Sequence, residues 1–174
     1  QSAFSDVNNR IIATLSDAKK AAADKASALG YPVKLHTQFL EGSAADVAKD
    51  LIKTLRNSDP GIHIWGGETS VILPKNPGRG GRNQHLALSA AIEIGNNKSL
   101  CLLSAGTDGT DGPTEDSGAI VDFSTIEKGL SLNMDPEAHL NTADSGSYLN
   151  ATGNLITTGP TGTNVMDLVI ALKR

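Results

Sequence analysis

Cysteine, aromatic residues and long apolar runs are all scarce in this chain, and each scarcity excludes something. One cysteine, Cys101, cannot close an intrachain disulfide. Its place inside an apolar run fits a core residue in a reducing cytoplasm, the expected location of the protein. Aromatics make up 3% of the residues, so the core must be built from Ala, Leu, Ile and Val. No stretch reaches the roughly 18 to 20 uninterrupted apolar residues of a membrane span, and the N-terminus lacks a basic-then-apolar signal. No membrane partner is expected. Fifteen cationic side chains against nineteen anionic ones leave a net charge of −4. That balance argues against nucleic acid as a partner, because phosphate backbones need a basic face. His36, His63, His85 and His139 lie at unrelated spacings, so no zinc motif is present, and His63 reads with Cys101 as core. Neither the P-loop pattern G-x-x-x-x-G-K-[ST] nor the dinucleotide pattern G-x-G-x-x-G occurs.

Glycine, in contrast, is plentiful: 18 residues, most of them after position 60. At 174 residues the chain is long enough for one domain with a real core, or for one and a half small ones. Asn9 to Leu15 reads as a short strand. Ser16 offers an N-cap to a helix over Ala18–Leu29, and Gly30 stands where a C-cap glycine belongs. Tyr31–Leu35 reads as a strand, and Gly42-Ser43-Ala-Ala-Asp46 as a capping motif. The helix it opens puts Ala44, Val47, Ala48, Leu51, Ile52 and Leu55 on one face. Ile62–Trp65 is the next strand. This strand–helix alternation predicts an α/β fold, a largely parallel or mixed sheet with helices on both faces in a three-layer sandwich.

Beyond Trp65, Gly66-Gly67 reads as a turn and Thr69–Leu73 as a strand. A loop over Pro74–Gly81 leads to a helix over Arg82–Ile94. Ser99–Ser104 and Ala119–Val121 read as strands, and Ser124–Leu130, Asp135–Leu140 and Asp144–Asn150 as short helices. Thr157–Asn164 is a Gly/Thr loop, and Asp167–Leu172 a closing strand. Residues 1–60 read as the end of an N-terminal, Rossmann-like α/β domain or a leading βαβ unit. Residues 61–174 form the second domain. The chain opens on Gln1 rather than Met, as expected of a fragment.

Two glycine-rich turns carry opposite charges at the ends of apolar runs. Gly80-Gly81-Arg82-Asn83 precedes a helix, where free N–H groups and a planar guanidinium suit an anion. The plain alternative is that these glycines only turn the chain and Arg82 pairs with a nearby carboxylate. Thr107-Asp108-Gly-Thr-Asp111-Gly carries carboxylates that could hold Mg²⁺ or take a proton from an attacking hydroxyl. The alternative there is two Asp-Gly turns. Glu68 is a second-rank candidate for the site. Thr161, Thr163 and Asn164 offer donors to a phosphate or form a surface turn. Asp144 either caps a helix or faces the cleft.

Taken together, G-G-E-T at 66–69, G-R-G-G-R-N-Q at 78–84, S-A-G-T-D-G-T-D-G-P-T at 104–114, G-A-I-V-D at 118–122 and T-G-P-T-G-T-N-V at 158–165 resemble the class II glycerate kinase family, and specifically its C-terminal MOFRL domain. The resemblance implies ATP-dependent phosphorylation of D-glycerate at its 2-hydroxyl, with Mg²⁺, in a cleft between two α/β domains. It implies that Arg82 holds the transferring phosphoryl group or the glycerate carboxylate, and that Asp108 acts as base or metal-site residue with Asp111 in support. Gly80, Gly81, Asn83, Thr107, Thr161, Thr163 and Asn164 would hold the cofactor, and Glu68 and Asp144 the substrate. The family's large N-terminal domain, which carries a lysine in the cleft, has no counterpart over most of its length. The chain alone is therefore expected to have little kinase activity, needing that domain or a split-chain partner. An exposed apolar patch where the domain would pack, with homodimers as a consequence, is expected too. Where the family has Asn-Asp-Ser, this sequence reads Ala143-Asp144-Ser145. Members often carry the label hydroxypyruvate reductase, but no nicotinamide fingerprint supports that chemistry here. A non-catalytic phosphometabolite-binding module is the other alternative.

Overall fold

The computed structural model describes residues 7, 8 and 10–174. Six strands form one mixed sheet in the order β1-β2-β6-β3-β4-β5: Val33–Ser43 (β1), Gly61–Ser70 (β2), Leu100–Gly106 (β3), Gly118–Asp122 (β4), Leu155–Ile156 (β5) and Asp167–Lys173 (β6). Six helices accompany them: Leu15–Ala28 (α1), Ala44–Arg56 (α2), Arg82–Ile94 (α3), Thr125–Ser131 (α4), Pro136–Asn141 (α5) and Ser145–Ala151 (α6). Among the described residues no helix is long and apolar enough to cross a membrane.

The first half has the connectivity its alternation predicts. β1, α2 and β2 make a βαβ unit, and β1 pairs parallel with β2. Ser43 caps α2 by accepting from the Asp46 N–H, and Ala44, Ala48, Leu51, Ile52 and Leu55 are buried along one stripe. The rest of the sheet is antiparallel. β6 returns from the far end of the chain to lie between β2 and β3, antiparallel to both.

One sheet face carries Trp65, Leu102, Val121, Val169 and Ala171 against α2 and α3, and this is the main core. The other face carries Ile64 and Gly66, and α1 lies on it: a Cβ built on Gly66 would stand 2.7 Å from Leu15 Cδ1. Burial of the many small α3 side chains, Ala87, Ala90 and Ala91, lets that helix sit close to α2 and the sheet. The result is helices on both faces of a mixed sheet.

Four sequence expectations change. The strand over Asn9–Leu15 is not formed: Asn9 lies outside the described residues, and Leu15 already belongs to α1. Thr14 rather than Ser16 is the N-cap, in a full capping box with Asp17. Gly66-Gly67 is not a turn. Both lie inside β2, where a Cβ on Gly67 would overlap the Leu40 backbone, so they permit close approach of chains. Finally, β2 ends at Ser70, and Ile72 is 97% exposed. The separate strand expected over Thr69–Leu73 is therefore not formed: its first two residues belong to β2, and residues 71–73 have no strand partner among the described residues.

Candidate functional site

The C-terminal ends of β2 and β3, the start of β6 and the N-terminus of α3 meet at one edge of the sheet. Gly67, Gly106 and Asp167 stand in register across β2, β3 and β6. Arg82, the first residue of α3, reaches back to this edge. Its Nε donates to Asp167 Oδ2 at 2.6 Å and its Nη2 to Asp167 Oδ1 at 3.0 Å, with Glu68 Oε1 3.4 Å from Nη2. Asp167 is buried, and hydrogen bonding to it, aided by the charges of Asp167 and Glu68, raises the Arg82 pKa above its ordinary value despite partial burial. Nη1 of Arg82 donates to no acceptor among the described residues, so the fork is aimed while one of its ends stays available.

Asp108 arrives from the loop after β3. A Cβ built on Gly106 would stand 3.0 Å from Asp108 Oδ1 and 3.5 Å from Asp167 Oδ1, so both carboxylates flank the same point. Asp167, which holds Arg82, thus lies beside the same point as Asp108. Asp108 is half-buried; Oδ1 accepts from the Thr110 N–H at 3.0 Å and Oδ2 from Asn164 Nδ2 at 3.2 Å. Each oxygen keeps lone pairs for a further partner.

The Thr/Gly loop supports this carboxylate. The Thr161 N–H donates to Asp108 O, and Thr161 Oγ1 donates to Thr107 O at 2.6 Å. Thr107 Oγ1 donates to Met166 O and accepts from the Val165 N–H. Thr107 and Thr161 thus spend their hydroxyls on the protein, whereas the exposed Thr163 hydroxyl has no partner among the described residues. Glu68 is exposed beside Arg82.

The other glycine-loop residues are arranged differently from the sequence expectation. Asp111 is 2% exposed, and its carboxylate occupies the N-terminus of α3. Oδ2 accepts from the Gln84 N–H at 2.8 Å, and Oδ1 from the Asn83 N–H at 3.0 Å and from Asn83 Nδ2 at 3.3 Å. The sequence assigned those N–H groups to a bound anion and Asp111 to a metal. Instead the chain's own carboxylate satisfies the helix end, as a helix N-terminus favours. Burial pushes the Asp111 carboxyl up to about 6, opposed by the three hydrogen bonds.

Asn83 is likewise turned inward, its Oδ1 accepting from Ser104 Oγ at 2.6 Å, so it faces the core rather than a cofactor. Gly80 and Gly81 serve contacts within the chain. A Cβ on Gly81 would overlap the Asp111 carboxylate, and one on Gly80 would stand 2.8 Å from Ser145 Oγ. Asp144 accepts from the Arg79 N–H at 2.8 Å and from Ser147 Oγ at 2.6 Å, fastening the glycine loop to α6. It is half-buried and reaches neither Arg82 nor Asp108 by a hydrogen bond.

Sequence reasoning missed Asp167, the residue that aims Arg82; Arg79, which the sequence places beside Arg82 as a second cationic donor of the glycine turn, has its guanidinium paired with buried Asp116. Asp167 opens an apolar strand, where a charge is unexpected, and that was the available signal. Also missed was His85, one turn along α3 from Arg82. Both line a cavity of about 190 Å³ with Gly80, Gly81, Ala143 and Ser145. Burial lowers the His85 pKa, and its Nδ1 is buried without a hydrogen-bond partner.

Among the described residues no group of three or more His, Cys, Asp or Glu side chains could hold a metal ion. Of the two aspartates in the loop after β3, Asp108 is the one solvent reaches, Asp111 being buried. It fits a Mg²⁺ held mostly by phosphate oxygens and water, as that ion commonly is, but not a cage of protein ligands.

Residues 61–167 match the MOFRL family. D-glycerate 2-kinase of Thermotoga maritima is 42% identical over 90% of this chain and 38% of its own length. Glycerate 2-kinase of Pyrococcus horikoshii is 38% identical over 96% of this chain and 40% of its own length. A crystal structure of glycerate kinase from Thermotoga maritima superposes with a TM-score of 0.91 at 38% identity, covering 98% of this chain and 43% of that one. The chain spans about two fifths of the length of these relatives.

Proposed function

The chain belongs to the MOFRL family, and from that premise we propose that it supplies one wall of a glycerate 2-kinase active site, transferring phosphate from ATP to the 2-hydroxyl of D-glycerate. The observation that carries this reading is the position of buried Asp167, which aims Arg82 and shares with Asp108 the point beside Gly106 where β2, β3 and β6 meet. Phosphoryl transfer asks little covalent chemistry of a protein; it asks for positioning and for stabilisation of charge. Arg82 answers the second demand. Asp167 fixes two of its donors, so the third side of the guanidinium meets an anionic oxygen without a further ordering cost. That oxygen belongs to the glycerate carboxylate or to the phosphoryl group in transit.

Asp108 accepts the proton of the attacking hydroxyl, or lends one oxygen to Mg²⁺ carried by the nucleotide. When bound, the Mg²⁺–ATP pair supplies the phosphoryl group and neutralises its charge. Asn164 and Thr110 hold the Asp108 carboxylate in place. Asp111, Asn83, Gly80 and Gly81 act behind the site, fixing the start of α3 and so the base of Arg82. The relatives carry well over half their length outside the matched span, and we infer that residues there complete the site.

Calorimetry tests the assignment. D-glycerate or ATP–Mg²⁺ is expected to bind the chain, and both Arg82→Lys and Asp108→Asn are expected to remove that binding while the circular dichroism stays unchanged. Binding that ignores both substitutions refutes the proposed roles. Tight binding of an unrelated phosphate ester supports a non-catalytic module instead, and binding of NADH a reductase.

A further inference from the structure

Two loops prepare the groups assigned above. The loop before α3, residues 74–81, leads into Arg82. The loop between β5 and β6, residues 157–166, carries Thr161 and Asn164, which hold Asp108. Among the described residues no hydrogen bond passes directly from one loop to the other. Both instead reach Asp116, a carboxylate 7% exposed. Its Oδ2 pairs with Nη2 of Arg79 in the first loop, and its Oδ1 accepts from Oγ1 of Thr157, in the second loop, at 2.7 Å. Arg79 is fixed on its other side too: Nη1 donates to Gly146 O at 3.2 Å, and the Arg79 carbonyl accepts from the Gly146 N–H at 2.8 Å.

The second loop has little apolar burial to hold it. None of residues 157–166 is buried, and a Cβ built on Gly159 or Gly162 would meet no heavy atom within 4 Å. Hydrogen bonds set its position instead, and segments held that way open at a small part of the global unfolding free energy. Thr161 and Val165 fasten it to Thr107 and Asp108, and Asn164 to the Asp108 carboxylate. Thr157 fastens its beginning, and does so to a charged acceptor, which makes the stronger bond.

Arg79 touches no residue of that loop by a hydrogen bond, yet it governs the anchor. Its guanidinium is the cationic partner that lets Asp116 stay buried as a carboxylate. Without it the carboxylate is drawn toward water, away from Thr157.

We propose that Asp116 is a positioning residue of the site: one oxygen holds the loop that leads into Arg82, the other the loop that steadies Asp108, and so it sets these two groups relative to each other. What that setting serves rests on the phosphoryl-transfer reading above; the coupling of the two loops through Asp116 does not.

Amide hydrogen exchange measures the coupling. Thr157 is exposed, so Thr157→Val removes the hydroxyl at nearly constant shape, and Thr157→Ser keeps it. The Thr161 N–H, which donates to Asp108 O, is expected to exchange about five- to tenfold faster relative to the β3 amides in Thr157→Val. Arg79→Gln is expected to do the same from the other loop, and Thr157→Ser to stay within about twofold of wild type. Affinity for ATP–Mg²⁺ by calorimetry should fall by a similar factor in the two faster-exchanging variants and recover in Thr157→Ser. Unchanged Thr161 exchange in Thr157→Val or in Arg79→Gln overturns the proposal, as does faster exchange with undiminished affinity. Exchange as expected, with neither ATP–Mg²⁺ nor D-glycerate bound by the wild type, supports the coupling and refutes the phosphoryl-transfer reading alone.

Discussion

Removal of the Arg82 side chain tests the geometry of the site through stability, before any turnover is measured. Asp167 is 5% exposed, and both of its recorded hydrogen bonds come from Arg82. Arg82→Ala leaves a buried carboxylate with nothing to pair with, a change that costs about 3–5 kcal/mol where both partners are fully buried. The Arg82 side chain is 33% exposed, so water reaches the vacated space and screens the charge. A discount to about 2–3 kcal/mol is appropriate. The converse change, Asp167→Asn, is milder. The amide oxygen still accepts from Arg82, and the guanidinium keeps water and Glu68, so about 1 kcal/mol is lost.

The double variant then decides the matter. With Arg82 gone, asparagine is a better occupant of the buried position than a charged aspartate, so Asp167→Asn should recover part of the Arg82→Ala loss. The coupling is expected at about 1–2 kcal/mol. Urea unfolding of the four proteins measures it, and thermal melts should follow with about 2–4 °C per kcal/mol for a chain of this size. Additivity within about 0.5 kcal/mol refutes the claim that Asp167 holds Arg82. It would also remove the reason for treating the guanidinium as pre-aimed.

Three further outcomes are expected. Because burial raises the folded Asp111 carboxyl from 3.8 to about 6, the native state binds the extra proton between those values. Stability from this group is therefore present at low pH and lost as pH rises through about 6. The loss is on the order of 2–3 kcal/mol, read as a falling difference between wild type and Asp111→Asn in urea midpoints from pH 4 to pH 7; a flat difference contradicts it. Ala143 sits at φ 51 in the left-handed region, 6% exposed. Ala143→Gly should gain roughly 0.5–1 kcal/mol by thermal melt, relief of αL strain exceeding the entropy added to the unfolded chain. Gly81→Ala places a methyl on the Asp111 carboxylate and should cost about 1–3 kcal/mol. A melting temperature unchanged by that substitution would show that the loops are not interlocked as described.

Much of the local structure was legible. Ser43 with Asp46, and the periodic Ala and Leu positions after them, encode α2 through capping and burial, both short-range effects. Asp135-Pro136 marks the start of α5 in the same way. The charge segregation that singled out Arg82 and Asp108 was visible too, because each lies in a turn whose composition is unusual by itself. Gly66-Gly67 was misread because a glycine pair signals a turn and a close approach equally well, and only the neighbouring strand distinguishes them. Asp111 was misread for a similar reason: a carboxylate in an Asp-Gly loop looks free until its partner is known, and the α3 N-terminus lies 27 and 28 positions away.

What the amino-acid sequence determined by itself is therefore the set of elements and the chemical character of each turn. Propensity, capping and periodicity act over a few residues and need no partner. The tertiary structure alone decided where the last strand goes. Nothing local says that β6 inserts between β2 and β3, yet that insertion brings Asp167 beside Arg82, 85 positions earlier in the chain, and leaves Asp108 on the same edge. A pocket assembled by strand order depends on long-range backbone pairing, and no window of neighbouring residues contains it.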